Sequence, residues 1–230
     1  MSEPGSRRGR THDAEGAREA ILNAAEQVFA EHGFDGARVD VIAKVAGYNK
    51  SLIFQYFGDK LGLYADVIRR ADEQTRVLQN EALEAFTGGM AARPDEVRGL
   101  LKKFVGWYFD YLVAHPNILR IYNWEMAEGW ATFTKILTQR DFDDVDQFRV
   151  VLNQLQAEGL LRAEFDPVVQ LTVGIFVAHA FLGILPLYRI MMPKVDLSSP
   201  DGLAAARDYL VEFVSHGLLR EPAPLKLPDA

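Results

Sequence analysis

The sequence predicts an all-α fold, in which a small three-helix domain precedes a larger helical one. Three observations carry that expectation. Apolar residues recur at three- and four-residue steps through almost every segment, and no stretch alternates as a half-buried strand would. Gly, Pro and short polar residues punctuate the pattern where helices begin and end. No internal repeat of fixed period is present, so a solenoid is excluded. With 49% of its 230 residues apolar, the chain can bury a sizeable core.

Residues 1–12 carry Arg7, Arg8 and Arg10, lack the apolar run of a secretion signal, and read as a disordered basic arm. The first helix is expected from Asp13 to His32, with Ile21, Ala24, Ala25, Val28 and Phe29 on one face and Gly33 as its stop. A short helix from Val39 to Val45 turns Val39, Ile42, Ala43 and Ala46 inward. Gly47 and Tyr48 form a tight turn, and Asn49 caps a helix that runs to Tyr56 and buries Ile53 and Phe57. Gly58 ends that helix, and Asp59 caps a long one reaching Ala85. After a loop from Thr87 to Pro94, helices are expected over Asp95–Ala114 and Asn117–Glu128. A long helical region, continuous or broken, follows from Trp130 to Glu158 and is closed by Gly159. Asp166-Pro167 opens an uncharged helix by a cap and a first-turn proline. A loop from Pro193 to Pro200 leads to a last helix over Asp201–His216, and a Pro-rich tail follows Glu221. The expected division is an arm (1–12), a first domain (13–67), a second domain (68–220) and a flexible tail (221–230).

Net charge is −7 and the pI is near 5.3, so any nucleic-acid contact must rest on local positive charge. The absence of cysteine excludes disulfides, thiolate metal sites and cysteine nucleophiles. No phosphate-binding glycine loop, Gly-x-Ser-x-Gly or His-Glu-x-x-His occurs, so no catalytic, metal or cofactor site is expected. The run from Asp141 to Asp146 is acidic, but its spacing fits no calcium loop and reads as a solvated helix start. Val168 to Tyr188 is long and apolar enough to span a bilayer. Gln170, Thr172, His179 and Pro186 interrupt it, however, and no Lys/Arg cluster flanks it. A buried helix at a subunit interface of a cytoplasmic protein, with no membrane partner, is the reading these features favour.

The segment from Val39 to Phe57 has the form of a helix-turn-helix, in which small Ala43 and Ala46 let the second helix cross close to the first. That second helix offers Lys50, Ser51, Leu52, Phe54, Gln55 and Tyr56, which combine a cation, hydroxyls, an amide and apolar groups. Gln can read adenine edges, and an apolar side chain can meet a thymine methyl. Together with Gly33-Phe34-Asp35-Gly36-Ala37-Arg38-Val39-Asp40-Val41-Ile42-Ala43, Ala46-Gly47-Tyr48-Asn49-Lys50 and Ile53-Phe54-Gln55-Tyr56-Phe57-Gly58-Asp59-Lys60, this stretch resembles the DNA-binding domain of the tetracycline-repressor (TetR) family over residues 17–67. The resemblance implies a homodimer that binds a double-stranded operator as two half-sites. It implies that Asn49, Lys50, Ser51, Leu52, Phe54, Gln55 and Tyr56 form the recognition element, that Lys60 meets a phosphate, and that Arg38 lies near the DNA backbone. Arg38 stands where the family often has a Ser or Thr cap, and Asp40 where it often has Arg. A carboxylate so close to phosphate is unfavourable unless it serves the positive end of its own helix.

In the second domain Trp107, Tyr108, Tyr111, Tyr122, Trp124, Glu125, Phe176 and His179 are the candidate effector-binding residues, pointing to an apolar or aromatic small molecule. The segments 168–192 and 201–217 are the candidate dimerisation helices. Leu171, Ile175, Ala178, Leu182 and Leu185 form the expected seam, and Leu203, Tyr209, Leu210 and Phe213 the apolar side of the last helix. The function expected is therefore that of a ligand-responsive transcriptional repressor, released from a palindromic operator by its effector. The alternative is a helical small-molecule-binding protein or enzyme without a DNA function.

Overall fold

The computed structural model describes residues 7–87, 93–138 and 143–220. The expectations for residues 1–6, for the loop at 88–92, for the start of the acidic run and for the tail lie outside these. Among the described residues there are ten helices: α1 Arg7–Gly36, α2 Val39–Ala46, α3 Lys50–Phe57, α4 Lys60–Thr87, α5 Pro94–Ala114, α6 Pro116–Ala127, α7 Ala131–Leu137, α8 Asp143–Ala157, α9 Pro167–Met191 and α10 Pro200–Leu218. The only extended pairing among them is a single antiparallel bridge between Leu161 and Leu219.

The chain divides into two compact units, Met1–Arg76 with His115–Arg140, and Val77–Ala114 with Asp141–Ala230. The first unit is therefore not contiguous in sequence. It holds the helices expected of the first domain and, in addition, α6 and α7.

In the first unit α1 starts at Arg7, earlier than expected, so the end of the basic stretch is helical. The predicted stop at Gly33 is a kink, with φ at +67° and ψ at −179°, and one more turn follows it. This backbone suits glycine for a second reason. A Cβ on Gly33 would lie 3.1 Å from the indole ring of Trp124. That indole donates its Nε1–H to the carbonyl of Ala30 at 3.2 Å, which seats α6 on α1. Next to it Glu125 is fully buried, its carboxylate accepting from the Tyr64 hydroxyl at 2.7 Å and from the backbone N–H of Phe133 at 3.1 Å. Burial, and then the neighbouring Glu125, push the Tyr64 phenol far above its ordinary pKa, so it remains the donor. Phe29 and Phe34 each pack edge-on against Tyr64 at this point, with the Phe29 and Tyr64 ring centres 4.8 Å apart.

The helical region expected from Trp130 to Glu158, continuous or broken, is made of two described helices, α7 and α8, and a turn separates it from α6. Gly129 and Trp130 both take left-handed backbone (φ +68° and +62°), which reverses the chain between α6 and α7. Trp130 is the one described non-glycine residue with positive φ. Its N–H donates to the carbonyl of Glu125 at 2.7 Å, and that bond closes the reversal.

The second unit packs α5, α8, α9 and α10 around Val97, Leu101, Val105, Leu152, Leu155, Leu171, Val211 and Val214. Asp166 caps α9 as expected, accepting from the N–H groups of Val168 and Val169, and Ser199 caps α10 through Gly202. Gly174 lets α9 and α10 approach, since a Cβ there would lie 2.6 Å from Val214. One expectation needs correction. Leu171, Ala178 and Leu182 of the predicted seam are buried within the protomer. The outward stripe of α9 lies to one side, through Val169, Val173, Ala180, Ile184 and Leu187, and Tyr209 and Phe213 of α10 are also exposed. Although α9 is long and apolar enough to cross a membrane, its buried side forms part of the core of this unit.

Candidate nucleic-acid interface

The helix-turn-helix is held by local chemistry. Ile42 and Ala43 bury one face of α2. Gly47, with φ at +75°, ends that helix, and its N–H bonds to the carbonyls of Ala43 and Lys44. Asn49 Oδ1 accepts from the N–H of Leu52 at 2.8 Å and starts α3. Ile53 and Phe57 turn inward, and the Arg18 guanidinium lies over the Phe57 ring at 5.3 Å. The same Arg18 pairs with Asp66, which also takes Arg69. Asp59 Oδ1 accepts from the N–H of Gly62 at 2.7 Å and caps α4.

This leaves Lys50, Ser51, Phe54 and Gln55 of α3 exposed, with Leu52 and Tyr56 half-buried. Phe54, at 41% exposure, is a large apolar side chain presented to solvent by a short helix. Asn49 is exposed with its amide oxygen engaged in the cap. Arg38 is exposed and occupies the N-cap position of α2 without a capping side-chain bond. Lys60 lies 4.6 Å above the Phe34 ring and donates to the carbonyl of Asp35 at 3.3 Å. Partial burial lowers its pKa, and Asp35 opposes that.

Asp40 proves to have two roles. It sits in the first turn of α2, where free N–H groups favour a carboxylate. It also accepts from Lys50 Nζ at 2.9 Å, with Arg38 3.9 Å from its other oxygen. The hydrogen bond and charge of Lys50 hold Asp40 below the usual carboxylate pKa. The sequence reading of Asp40 did not include this pair.

The predicted effector residues separate into two groups. Tyr122, Trp124 and Glu125 belong to the first unit, where Trp124 and Glu125 make the bonds described above. Trp107, Tyr108, Tyr111, Phe176 and His179 come together in the second. Trp107 and Tyr111 stack at 5.4 Å, Phe176 and His179 lie 4.9 Å apart, and the Tyr108 hydroxyl is 2.7 Å from His179 Nε2. Burial pushes the His179 pKa down to about 4. A base that is harder to protonate folded than unfolded contributes stability that is complete above about pH 6.5 and is lost as pH falls toward 4. The expected loss from pH 7 to pH 4 is about 3 kcal/mol. His179→Gln should flatten the dependence of unfolding free energy on pH in that window, and an equally steep curve would remove His179 as its source.

Comparison with known proteins agrees with this geometry. The family described as bacterial regulatory proteins, tetR family, matches residues 21–67, and the tetracyclin repressor-like C-terminal domain matches residues 98–214. The HTH-type transcriptional repressor NicS of Pseudomonas putida is 31% identical over 180 residues, 77% of this chain and 76% of that protein. The HTH-type transcriptional repressor SCO4008 of Streptomyces coelicolor is 35% identical over 116 residues, so the match spans about half of each protein (50% and 53%). The crystal structure of the putative transcriptional regulator SCO4942 from Streptomyces coelicolor superposes with a TM-score of 0.57 at 28% identity, covering 89% of this chain and 99% of that one. The chain therefore belongs to the TetR family, as a helix-turn-helix transcriptional regulator and not an enzyme.

Proposed function

We propose that the protein is a cytoplasmic, dimeric repressor that binds a two-fold-symmetric operator through α3 and is released by an apolar or aromatic effector. The observation that carries this reading is the capped recognition helix, which buries Ile53 and Phe57 and presents Lys50, Ser51, Phe54 and Gln55 outward. Arg38 and Lys60 flank it as backbone contacts, and Asn49, Leu52 and Tyr56 complete the surface. Phosphate contacts supply affinity, and base contacts supply choice of sequence. Two copies of α3 in successive major grooves require centres about 34–36 Å apart, or a multiple of it.

Dimerisation is assigned to the outward stripes of α9 and α10, where Val173, Tyr209 and Phe213 lie exposed beside one another's helices. A groove of about 880 Å³ runs between them, lined by Val169, Val173, Val177, Phe213 and Gly217, and a second copy would fill it. Effector binding is assigned to the Trp107, Tyr108, Tyr111, Phe176 and His179 cluster, whose neutral imidazole and aromatic rings suit an uncharged ligand. An effector that prefers one half-site separation shifts operator affinity by about 1–3 kcal/mol of coupling.

Selection from a random duplex pool tests this reading. The expected outcome is one enriched two-fold-symmetric motif. Gln55→Ala should relax one position in each half-site, at a loss of about 1–3 kcal/mol. A pool that stays random at low salt would refute the function proposed here, and an unaltered motif with the Gln55 variant would remove Gln55 from the readers.

A further inference from the structure

We propose that Asp40 is a positioning residue for sequence choice, which turns Lys50 from a general phosphate contact into a reader of base edges. The inference rests on the DNA-binding reading above. Lys50 is the first residue of α3, at the end of the recognition helix that helix-turn-helix docking sends toward the bases. Its ammonium is held from two sides. Asp40 Oδ1 lies 2.9 Å from Nζ, and the ring of Phe54, one turn along α3, lies 5.8 Å away. Asp40 is itself fixed at the start of α2, where the helix favours its charge, and Arg38 approaches its second oxygen at 3.9 Å.

Such an arrangement treats the two kinds of DNA contact differently. An ammonium has three N–H donors, so one directed at Asp40 leaves two for an acceptor pair such as guanine O6 and N7. Swinging to a phosphate instead would mean leaving Asp40. Non-specific binding consists almost entirely of phosphate charge, so a tethered Lys50 contributes little to it. Asp40 also cancels one positive charge in a region whose cations work against a chain of net charge −7.

The test compares wild type, Asp40→Asn, Asp40→Glu and Lys50→Ala by selection from a random duplex pool and by salt titration against a random-sequence duplex. Asp40→Asn is expected to bind the random duplex several-fold more tightly at low salt, with a salt slope steeper by about one. It should also flatten one guanine position in each half-site, the same position that Lys50→Ala flattens. Asp40→Glu, which keeps the carboxylate, should retain both the motif and the slope. An Asp40→Asn motif identical to wild type overturns the proposal, whatever the slope does. So does loss of different positions in Asp40→Asn and Lys50→Ala. A wild-type protein that enriches no motif overturns the DNA-binding reading itself, and this inference with it.

Discussion

Substituting Val173 and Phe213 together by aspartate should leave a folded monomer that no longer holds its operator. Both side chains are largely exposed in the protomer, at 60% and 55%, so neither contributes to its core. They lie on the two helices assigned to the dimer seam. Two-fold symmetry enters each change twice, so four carboxylates would occupy one interface. Burying a single unpaired charge costs several kcal/mol, a large part of the roughly 8–12 kcal/mol that holds a micromolar to nanomolar dimer. The dimer dissociation constant is expected to rise by at least about 1,000-fold, equivalent to roughly 4 kcal/mol. Sedimentation should report one chain of 25.8 kDa, with helical circular dichroism unchanged. An intact dimer would place the seam elsewhere. Ala178→Arg makes the contrast, because Ala178 is buried inside the protomer and arginine there should unfold the second unit before it disturbs any partner.

Removing the Glu125 carboxylate should be the most damaging single polar change in the first unit. Glu125→Ala leaves the buried Tyr64 hydroxyl and the half-buried Phe133 N–H without their acceptor. An unmet buried donor costs about 1–3 kcal/mol, so the sum is about 3 kcal/mol or slightly more. For a chain of this length that lowers Tm by roughly 6–12 °C. Tyr64→Phe should cost less, and the double variant less than the two together, because the interaction is then lost only once. Thermal unfolding of the four proteins completes the cycle. Additive losses would show that Tyr64 and Glu125 are not coupled.

The helix-turn-helix was legible because its instructions are local. Asn49 and Asp59 cap the helices that follow them, Gly47 turns the chain, and Ile53 and Phe57 mark the inner face within one helical turn of each other. The start of α9 at Asp166-Pro167 was legible for the same reason. Its outward face was not. Both sides of that helix are apolar, so no charged stripe marks which side enters the core, and Leu171, Ala178 and Leu182 of the seam read from periodicity are buried within the protomer. The Tyr64–Glu125 bond was not legible because the two residues lie far apart along the chain, and only tertiary packing pairs them. Trp130 carried no sign of its left-handed backbone, because a bulky residue there is held by the bond to Glu125 and not by its own preference. The Asp40–Lys50 pair needed the crossing of α2 and α3 to be known first.

The DNA-reading unit is assembled from two separate stretches of the chain, with the Trp124 ring against Gly33 and Glu125 beneath Tyr64. Its helix-turn-helix is therefore not a portable cassette. A chimera joined after Arg76 would carry the helix-turn-helix away without the segment His115–Arg140 of its own unit, and would expose Gly33 and Tyr64 where Trp124 and Glu125 had been. On the reading proposed above, operator specificity would be exchanged by transplanting the surface of α2 and α3 alone. Recombination of whole domains would need both stretches to travel together.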